Sequence, residues 1–193
     1  MLHRETTLAE GLYSPDGTWL VFRQGDTRAG SGDIYAMRPG VDSTVVSLVE
    51  TEFLDYSMTL SPDGRWMAYV SDATGRSEVY VSPFPDVGSG RQLVSPAGGV
   101  EPLWAHSGRE LFYRNGANEL VAVQVTAEQT FTVGRQDVLF SLANYLPGNG
   151  HPQYDVSPDD QRFVMFRLSD LAADSELILV ENWAEALRER AGN

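Results

Sequence analysis

The residues that could perform catalysis are few in this sequence, and they are not arranged for it. The chain has no cysteine, which excludes thiol nucleophiles, disulfides and thiolate metal sites. No serine lies in a Gly-x-Ser-x-Gly sequence, the nucleophile turn of many hydrolases. The three histidines, His3, His106 and His151, fall at the terminus, in a turn and in a loop, where surface histidines are common. We therefore expect a protein that is not an enzyme.

One acidic cluster has side chains that could bind a cation. Asp155, Asp159 and Asp160 follow one another closely, but they lack the Asp-x-Asp-x-Asp-Gly spacing of a calcium loop. We interpret the segment as a solvated turn in which Asp160 stands where other copies of the turn have glycine. The sequence therefore predicts no metal site, and nothing in it indicates a cofactor.

A turn signature recurs along the chain and positions everything else. In Ser61-Pro62-Asp63-Gly64, proline presets φ, aspartate can bond its own backbone, and glycine accepts a positive φ. An aromatic-ended apolar run follows each turn, and the turns lie roughly 40–50 residues apart. The other copies are Ser14–Gly17, the degraded His106-Ser107-Gly108, and Ser157–Asp160.

A second landmark keeps the same phase as the turns. After each turn and a loop comes an acid followed by an apolar run. We expect these acids to bond backbone amides at the turn between the second and third strands of each unit, the b–c turn. The four acids are Asp33, Glu78, Glu119 and Glu176. With the segments between them, each unit contains four short strands, a to d, which is the pattern of a β-propeller blade. In the second unit strand b is Trp66–Ser71, and in the third unit strand d is Val138–Ser141.

The strands also predict how the blades pack. Alternate residues of strand a are apolar or small, and we expect this face to pack on the neighbouring blade. It includes Tyr13, Met58, Trp104 and Val156. The aromatic residues of the b strands should lie in the core between blades.

The predicted fold is therefore all-β: a propeller-type array of four four-stranded antiparallel blades, followed by a short C-terminal helix. The whole chain, 1–193, forms one domain, with approximate blades at 8–50, 53–97, 99–142 and 150–181 and the helix at 182–191. The last blade has three strands of its own. Either Met1–Glu5 supplies its fourth strand and closes a four-blade ring, or the chain is a partial propeller that self-associates through open blade faces.

The charge balance limits the partners. The net charge is −13, which argues against nucleic acid and anionic membrane surfaces because both require basic patches. No apolar run approaches the roughly 20 residues that span a bilayer, and the first residues have no apolar core of a secretory signal. A hydrophobic fraction of 42% supports a packed core rather than a disordered chain. We expect a protein or peptide partner.

The predicted binding surface is the end of the array where the d–a and b–c loops meet at the channel mouth, because loops carry function more readily than strands. Its side chains are polar and mixed, with an acidic bias that suits a basic peptide segment. Each of them could equally be plain solvated surface. The candidate binding residues are Asp26, Arg28, Glu52, Asp55, Asp72, Arg76, Glu101 and His151.

The repeats resemble the WD40-like repeats of TolB-type propellers in the Ser-Pro-Asp-Gly turn, the aromatic-ended b strand and the stretch Gly75–Val81. The third turn, Ala105–Gly108, departs from the pattern. The C-terminal stretch Glu176–Leu187 is similar to the end of sensor propellers attached to bacterial Ser/Thr kinases. This resemblance implies the C-terminal portion of a larger propeller, from an extracytoplasmic part of a bacterial signalling protein.

Two functions remain open from the sequence. The first is a non-enzymatic module for protein or ligand binding, the C-terminal part of a larger bacterial sensor or scaffold protein. The alternative is a non-catalytic gating propeller of a peptidase or other hydrolase whose catalytic domain is absent from this chain.

Overall fold

The computed structural model describes residues 8–25, 30–42, 44–127, 129–148 and 150–168, and the backbone of 176–181. These residues form antiparallel sheets, and the predicted all-β propeller-type fold is confirmed. The proposed closing strand Met1–Glu5 and the helix predicted over 182–191 lie outside the described residues.

Each sheet is built from consecutive strands in chain order, and we call the sheets blades 1 to 4. Blade 1 contains β1 (Leu8–Tyr13), β2 (Leu20–Gln24), β3 (Asp33–Met37) and β4 (Val46–Val49). Blade 2 contains β5 (Asp55–Leu60), β6 (Trp66–Ser71), β7 (Glu78–Pro83) and β8 (Gln92–Leu93). Blade 3 contains β9 (Gly99–Trp104), β10 (Glu110–Asn115), β11 (Glu119–Ala127) and β12 (Phe131–Ser141). Blade 4 contains β13 (Tyr154–Val156), β14 (Arg162–Arg167) and β15 (Glu176–Glu181), so within the described residues it has three strands rather than four.

The recurring turn is held by its own side chains. Ser61 Oγ donates to Asp63 Oδ1 at 2.6 Å and accepts from Trp66 N at 3.0 Å. Arg65 N donates to the same carboxylate oxygen at 3.1 Å, and Gly64 has φ 69°. The turn recurs because every blade needs this connection between its first and second strands, so its residues serve the architecture.

The third turn lacks both side chains that stabilise the others, and blade 4 supplies the missing carboxylate. His106 N donates to Asp160 Oδ1 at 2.7 Å, and Ser107 N donates to Asp160 Oδ2 at 2.9 Å. Asp160 itself has φ 57°, a conformation that glycine adopts more easily. The interpretation of Asp160 as part of a plain solvated turn is therefore wrong, because its carboxylate joins two blades.

Whether Asp160→Gly raises or lowers the free energy of unfolding distinguishes these two interpretations of Asp160. If the turn were merely solvated, Asp160→Gly would stabilise the protein, because glycine relieves the positive φ at a gain of about 1 kcal/mol. Since the carboxylate accepts two backbone amides, we expect a net loss of about 1 kcal/mol instead. Urea unfolding of the wild type, Asp160→Gly and Asp160→Asn measures this change in the free energy of unfolding. Asparagine, which tolerates this φ and keeps one acceptor oxygen, should fall between the two.

The core lies between the blades. Blades 1 and 2 share a cluster that includes Val21, Ile34 and Tyr69, all at most 2% exposed. Between blades 2 and 3, Phe131 lies 5.5 Å from Trp66 and 6.1 Å from Trp104, measured between ring centroids. Aromatic side chains thus fill the spaces between sheets, as the sequence predicts for its aromatic strand residues.

In blades 2 to 4, alternate residues of the first strand face the preceding blade. These residues are buried, as predicted for Met58, Trp104 and Val156. The same position in blade 1 is Tyr13, which is 59% exposed. Tyr13 pairs with Leu20 on the face opposite Val21, and it is Val21 that packs against blade 2. The prediction of a buried face is therefore wrong for Tyr13.

Candidate binding mouth

The loops at the predicted binding end are tied to one another. Leu54 N, in the connection between blades 1 and 2, donates to Asp72 Oδ1 at 2.8 Å. Arg76 donates to the Pro96 carbonyl, in the connection between blades 2 and 3, and its Nε lies 2.8 Å from Glu78 Oε1. The b–c loop of blade 2 therefore fixes both of these connections, so Asp72 and Arg76 have a structural role whatever else they do.

The structure places the predicted site residues in three different situations. Asp26 and Arg28 lie outside the described residues, and Glu52 and His151 are exposed. Asp55 and Glu101 lie in strands β5 and β9 rather than in loops, and they are buried at 0% and 3% exposure. Their assignment as binding residues stays a prediction, but they are not solvated surface.

Asp55 links blades 1 and 2. Its backbone N donates to Gly32 O at 2.9 Å, and Thr51 Oγ1 donates to its Oδ2 at 2.6 Å. Burial raises the pKa of the Asp55 carboxyl above its ordinary value, although Thr51 and other neighbours oppose the shift. Its other oxygen, Oδ1, has no hydrogen-bond partner among the described residues.

The acids that begin the third strands have more varied partners than the sequence predicts. Among the three acids whose side chains the structure describes, Asp33, Glu78 and Glu119, Asp33 alone accepts a backbone amide, from Thr51 at 3.2 Å, and this amide lies in the d–a connection rather than the b–c turn. Glu119 accepts from the side-chain amide of Asn115 at 2.8 Å. Burial alone would raise the pKa of Glu78, but hydrogen bonds from three side chains lower it below the ordinary value. Those side chains are Thr74, Arg76 and Tyr80.

Two ion pairs, one largely and one fully buried, occupy equivalent places in blades 1 and 3. They are Glu10 with Arg23 and Glu101 with Arg114, and in each pair the acid lies on the first strand and the arginine on the second. Sequence reasoning missed the pairs, although one signal was available. The acid stands 13 residues before the arginine in both, in the same phase of the repeat.

Glu10 connects its own blade to the next. Arg23 Nε donates to Glu10 Oε1 at 3.3 Å, and Ser57 N donates to Glu10 Oε2 at 3.0 Å. Ser57, on the first strand of blade 2, has φ 53° at an irregularity in the β5–β6 register. Burial raises the pKa of Glu10, although Arg23 and Ser57 both act to lower it.

Glu101 makes the equivalent pair in blade 3. Arg114 Nε donates to its Oε1 at 3.1 Å, and Gly148 N, in the connection to blade 4, donates to the same oxygen at 2.7 Å. Glu101 has φ 59°, like Ser57 in blade 2. Arg114 also donates to Leu146 O at 3.1 Å. A Cβ on Gly148 would collide with the carbonyl of His151, so only glycine fits this close approach.

Electrostatic interactions connect groups of blades 1, 2 and 3 at this end. Burial raises the pKa of Tyr56, on the first strand of blade 2, and the charges of Asp72, Glu10 and Glu101 raise it further. His151, in the connection between blades 3 and 4, acts to lower the pKa of Glu10 in blade 1. Groups from all three first strands therefore lie within reach of one another. We call this set the channel mouth: Glu10, Arg23, Tyr56, Ser57, Glu101, Arg114 and His151.

A cavity of about 1160 Å³ lies at the other end of the blades. It opens between the a–b turns of blades 2 to 4 and the long β11–β12 hairpin, and we call it the hairpin cleft. The hairpin is held in place because Trp66 Nε1 and Arg65 Nη2 both donate to Ala127 O, at 3.0 and 2.9 Å. Two of the arginines in the cleft are paired locally, Arg65 with Asp63 and Arg135 with Asp137.

Glu110 in this cleft gives a pH-dependent prediction. Burial raises the pKa of its carboxyl, and the charges of Asp160 and Asp137 raise it further. When the pKa of a carboxyl is higher in the folded than in the unfolded state, the protein loses stability as the carboxyl becomes charged. This loss in the free energy of unfolding is complete above the folded-state pKa and absent below the unfolded-state pKa. Glu110→Gln should therefore raise the free energy of unfolding at neutral pH, by up to about 1 kcal/mol.

Urea unfolding at about pH 7 and just below pH 4 measures this difference. We expect the wild type and Glu110→Gln to differ at neutral pH and to converge in acid. A difference of the same size at both pH values would mean that the substitution changes packing rather than charge.

In the part of the chain that the structure describes, no group of three or more histidine, aspartate or glutamate side chains could hold a metal ion. No helix within the same residues has the length and apolar character needed to cross a membrane.

Comparison with known proteins identifies the fold. No protein-family model and no curated protein matches the sequence. Among solved structures, TolB from Acinetobacter baumannii superposes with a TM-score of 0.66 and 16% identity over 89% of this chain and 40% of that chain. A putative TolB from Agrobacterium tumefaciens gives 0.64 and 16%, over 89% and 60% of the two chains. A Mycobacterium tuberculosis puromycin-hydrolyzing peptidase gives 0.58 and 18%, over 91% and 30%. The fold is therefore that of a TolB-like propeller, and the chain spans 40–60% of the length of the two TolB proteins.

Proposed function

We propose that this chain is a non-enzymatic binding module and that its channel mouth takes a protein or peptide segment of basic character. The observation that carries the proposal is the set of buried polar groups at the mouth. Arg23 Nη1, Ser57 Oγ and Glu101 Oε2 are buried and have no hydrogen-bond partner among the described residues. A buried polar atom without a partner costs about 1–3 kcal/mol, so a ligand that supplies partners gains that energy.

The charge of the mouth supports a basic ligand. Glu10 and Glu101 are each paired with an arginine, but Tyr56 still experiences the negative charges of both acids and of Asp72. The chain as a whole carries a net charge of −13, which steers cationic partners toward it. A lysine- or arginine-containing segment suits this field, whereas nucleic acid does not.

The biological setting belongs to the same proposal. We place the chain in a larger bacterial sensor or scaffold protein that acts in signalling, on the resemblance of its last strand and the following residues to kinase-linked sensor propellers. An extracytoplasmic location follows from that setting. Self-association through open blade faces belongs to the proposal for this chain by itself, as an open partial propeller. Tyr13 and Phe166, exposed at 59% and 46%, would lie at such contacts.

Selection of random dodecapeptides displayed on phage tests the binding proposal. Wild-type protein should enrich peptides that contain lysine or arginine, and fluorescence polarisation of synthetic copies should show binding that weakens about tenfold in Glu101→Gln. The matched control is Glu110→Gln, which removes the same charge in the hairpin cleft and should bind as wild type does. No enrichment above background, or equal weakening in both variants, would reject the proposal.

A gating role beside a hydrolase is the second candidate, favoured by the similarity of the fold to part of the puromycin-hydrolyzing peptidase structure. The two roles differ in what accompanies the propeller. A kinase or DNA-binding domain encoded with this chain supports sensing, and a hydrolase domain or adjacent hydrolase gene supports gating. Sequencing the coding region on both sides of this segment distinguishes them.

A further inference from the structure

The three unpartnered atoms of the channel mouth occupy related positions in successive blades. Glu10, Ser57 and Glu101 each lie four residues before the start of the a–b turn of their blade. Arg23 is the partner of the first of them. Reading from blade 1 to blade 3, the mouth therefore presents a free donor, a free hydroxyl and a free acceptor, namely Arg23 Nη1, Ser57 Oγ and Glu101 Oε2.

The two ion pairs differ in which partner is incompletely bonded. Glu10 uses both carboxylate oxygens, one for Arg23 and one for the Ser57 amide. Glu101 uses Oε1 for both Arg114 and the Gly148 amide, which leaves Oε2 free. The arginines show the reverse, since the Arg114 guanidinium makes three hydrogen bonds and Arg23 keeps an unused Nη1. This asymmetry gives the mouth a direction.

We propose that the mouth binds its peptide in one orientation, with a lysine or arginine side chain donating to Glu101 Oε2 and a main-chain carbonyl oxygen of the same peptide accepting from Arg23 Nη1. Ser57 belongs to the blade between those of Arg23 and Glu101, and its hydroxyl bonds the intervening backbone of the peptide. The proposal rests on the proposed function, because it assigns the ligand contacts of the same mouth.

Access to Glu101 involves the connection between blades 3 and 4. This connection covers Glu101 through the hydrogen bond from Gly148 N, at 2.7 Å. The incoming cation binds the free Oε2, and this charged hydrogen bond offsets the loss of the neutral one at Oε1 when the connection moves aside, because hydrogen bonds between two charged groups are the stronger kind. Leu146, held by Arg114 and by Phe166 O, anchors the connection on its other side, so only the Gly148 side has to move.

The test is a cycle in which ligand and protein are changed together. The probes are a synthetic peptide from the phage selection and its copies in which each arginine is replaced by citrulline, or each lysine by Nε-acetyl-lysine. In the wild type, one of these neutral copies should bind at least about tenfold more weakly than the parent. In Glu101→Gln the same change should matter less than about threefold, because the acceptor charge is gone.

Arg23→Gln should weaken the parent and neutral peptides by the same factor, since its proposed partner is the peptide backbone. Ser57→Ala removes only the hydroxyl and should weaken every peptide a few-fold, which provides a readout even if a charge variant unfolds. The proposal would be overturned if Glu101→Gln still bound the neutral peptide at least about tenfold more weakly than the parent. It would also be overturned if the wild type bound both peptides equally, because ordered water alone would then satisfy these atoms. Failure to select any peptide would instead reject the proposed function itself.

Discussion

Arg114→Met should lower the free energy of unfolding by about 3–5 kcal/mol, because it removes one member of a buried ion pair and leaves the other charged. The side chains of Arg114 and Glu101 are 7% and 3% exposed, so water cannot replace the lost guanidinium. Methionine keeps much of the length and volume, so that lost packing contributes little. Urea denaturation followed by circular dichroism measures the change.

A surface pair supplies the control. Arg38→Met removes an arginine whose side chain is 46% exposed in its pair with Asp42, and it should cost at most about 1 kcal/mol. The double variant Glu101→Gln/Arg114→Met has no unpaired charge and should recover part of the loss. If Arg114→Met were no more harmful than Arg38→Met, the Glu101–Arg114 pair would not be buried as described.

Phe163→Ala should also cost about 3–5 kcal/mol, because it opens a cavity between blades 3 and 4. Phe163 is fully buried, and its ring centroid lies 4.9 Å from that of Phe112 in an edge-to-face contact. The same ring also contacts Phe140 and Tyr154, at 6.0 and 6.3 Å. Urea unfolding measures the loss, and a smaller denaturant slope would indicate that blade 4 detaches before the rest.

The matched control lies on the same strand. Phe166 is 46% exposed on the opposite face of β14, and Phe166→Ala should change the free energy of unfolding by less than about 1 kcal/mol. Equal, small losses in the two variants would show that the three-stranded sheet does not pack on blade 3, and the description of it as a blade would be wrong.

The sequence was sufficient for the fold because its signals are local and repeated. The turn Ser61–Gly64 needs only its own side chains, and the strand predicted at Trp66–Ser71 occurs with those limits. Alternation of apolar residues then determines which face packs, as it does for Met58. Each copy of the repeat supports the interpretation of the others, so the four-unit pattern was predictable without knowledge of any contact.

The binding mouth was less predictable because its contacts span long stretches of chain. The burial of Glu101 depends on a positive φ within a strand and on Gly148, 47 residues further along. Asp160 was misjudged for the same reason, since the amides that it accepts lie 53 and 54 residues before it. The length of β12, Phe131–Ser141, also exceeds the predicted strand at Val138–Ser141. These features depend on how neighbouring blades meet, and the repeat pattern alone does not specify that.

The central claim is that ligand binding belongs to the channel mouth, while the repeated turns are architecture. The most direct measurement is amide chemical-shift mapping by NMR of ¹⁵N-labelled protein titrated with a peptide from the phage selection. We expect the largest shifts at Ser57, Glu101 and Gly148 and little change at Gly64 and Gly108 in the turns. Shifts confined to the turns or to Gly134 in the hairpin cleft would contradict the account.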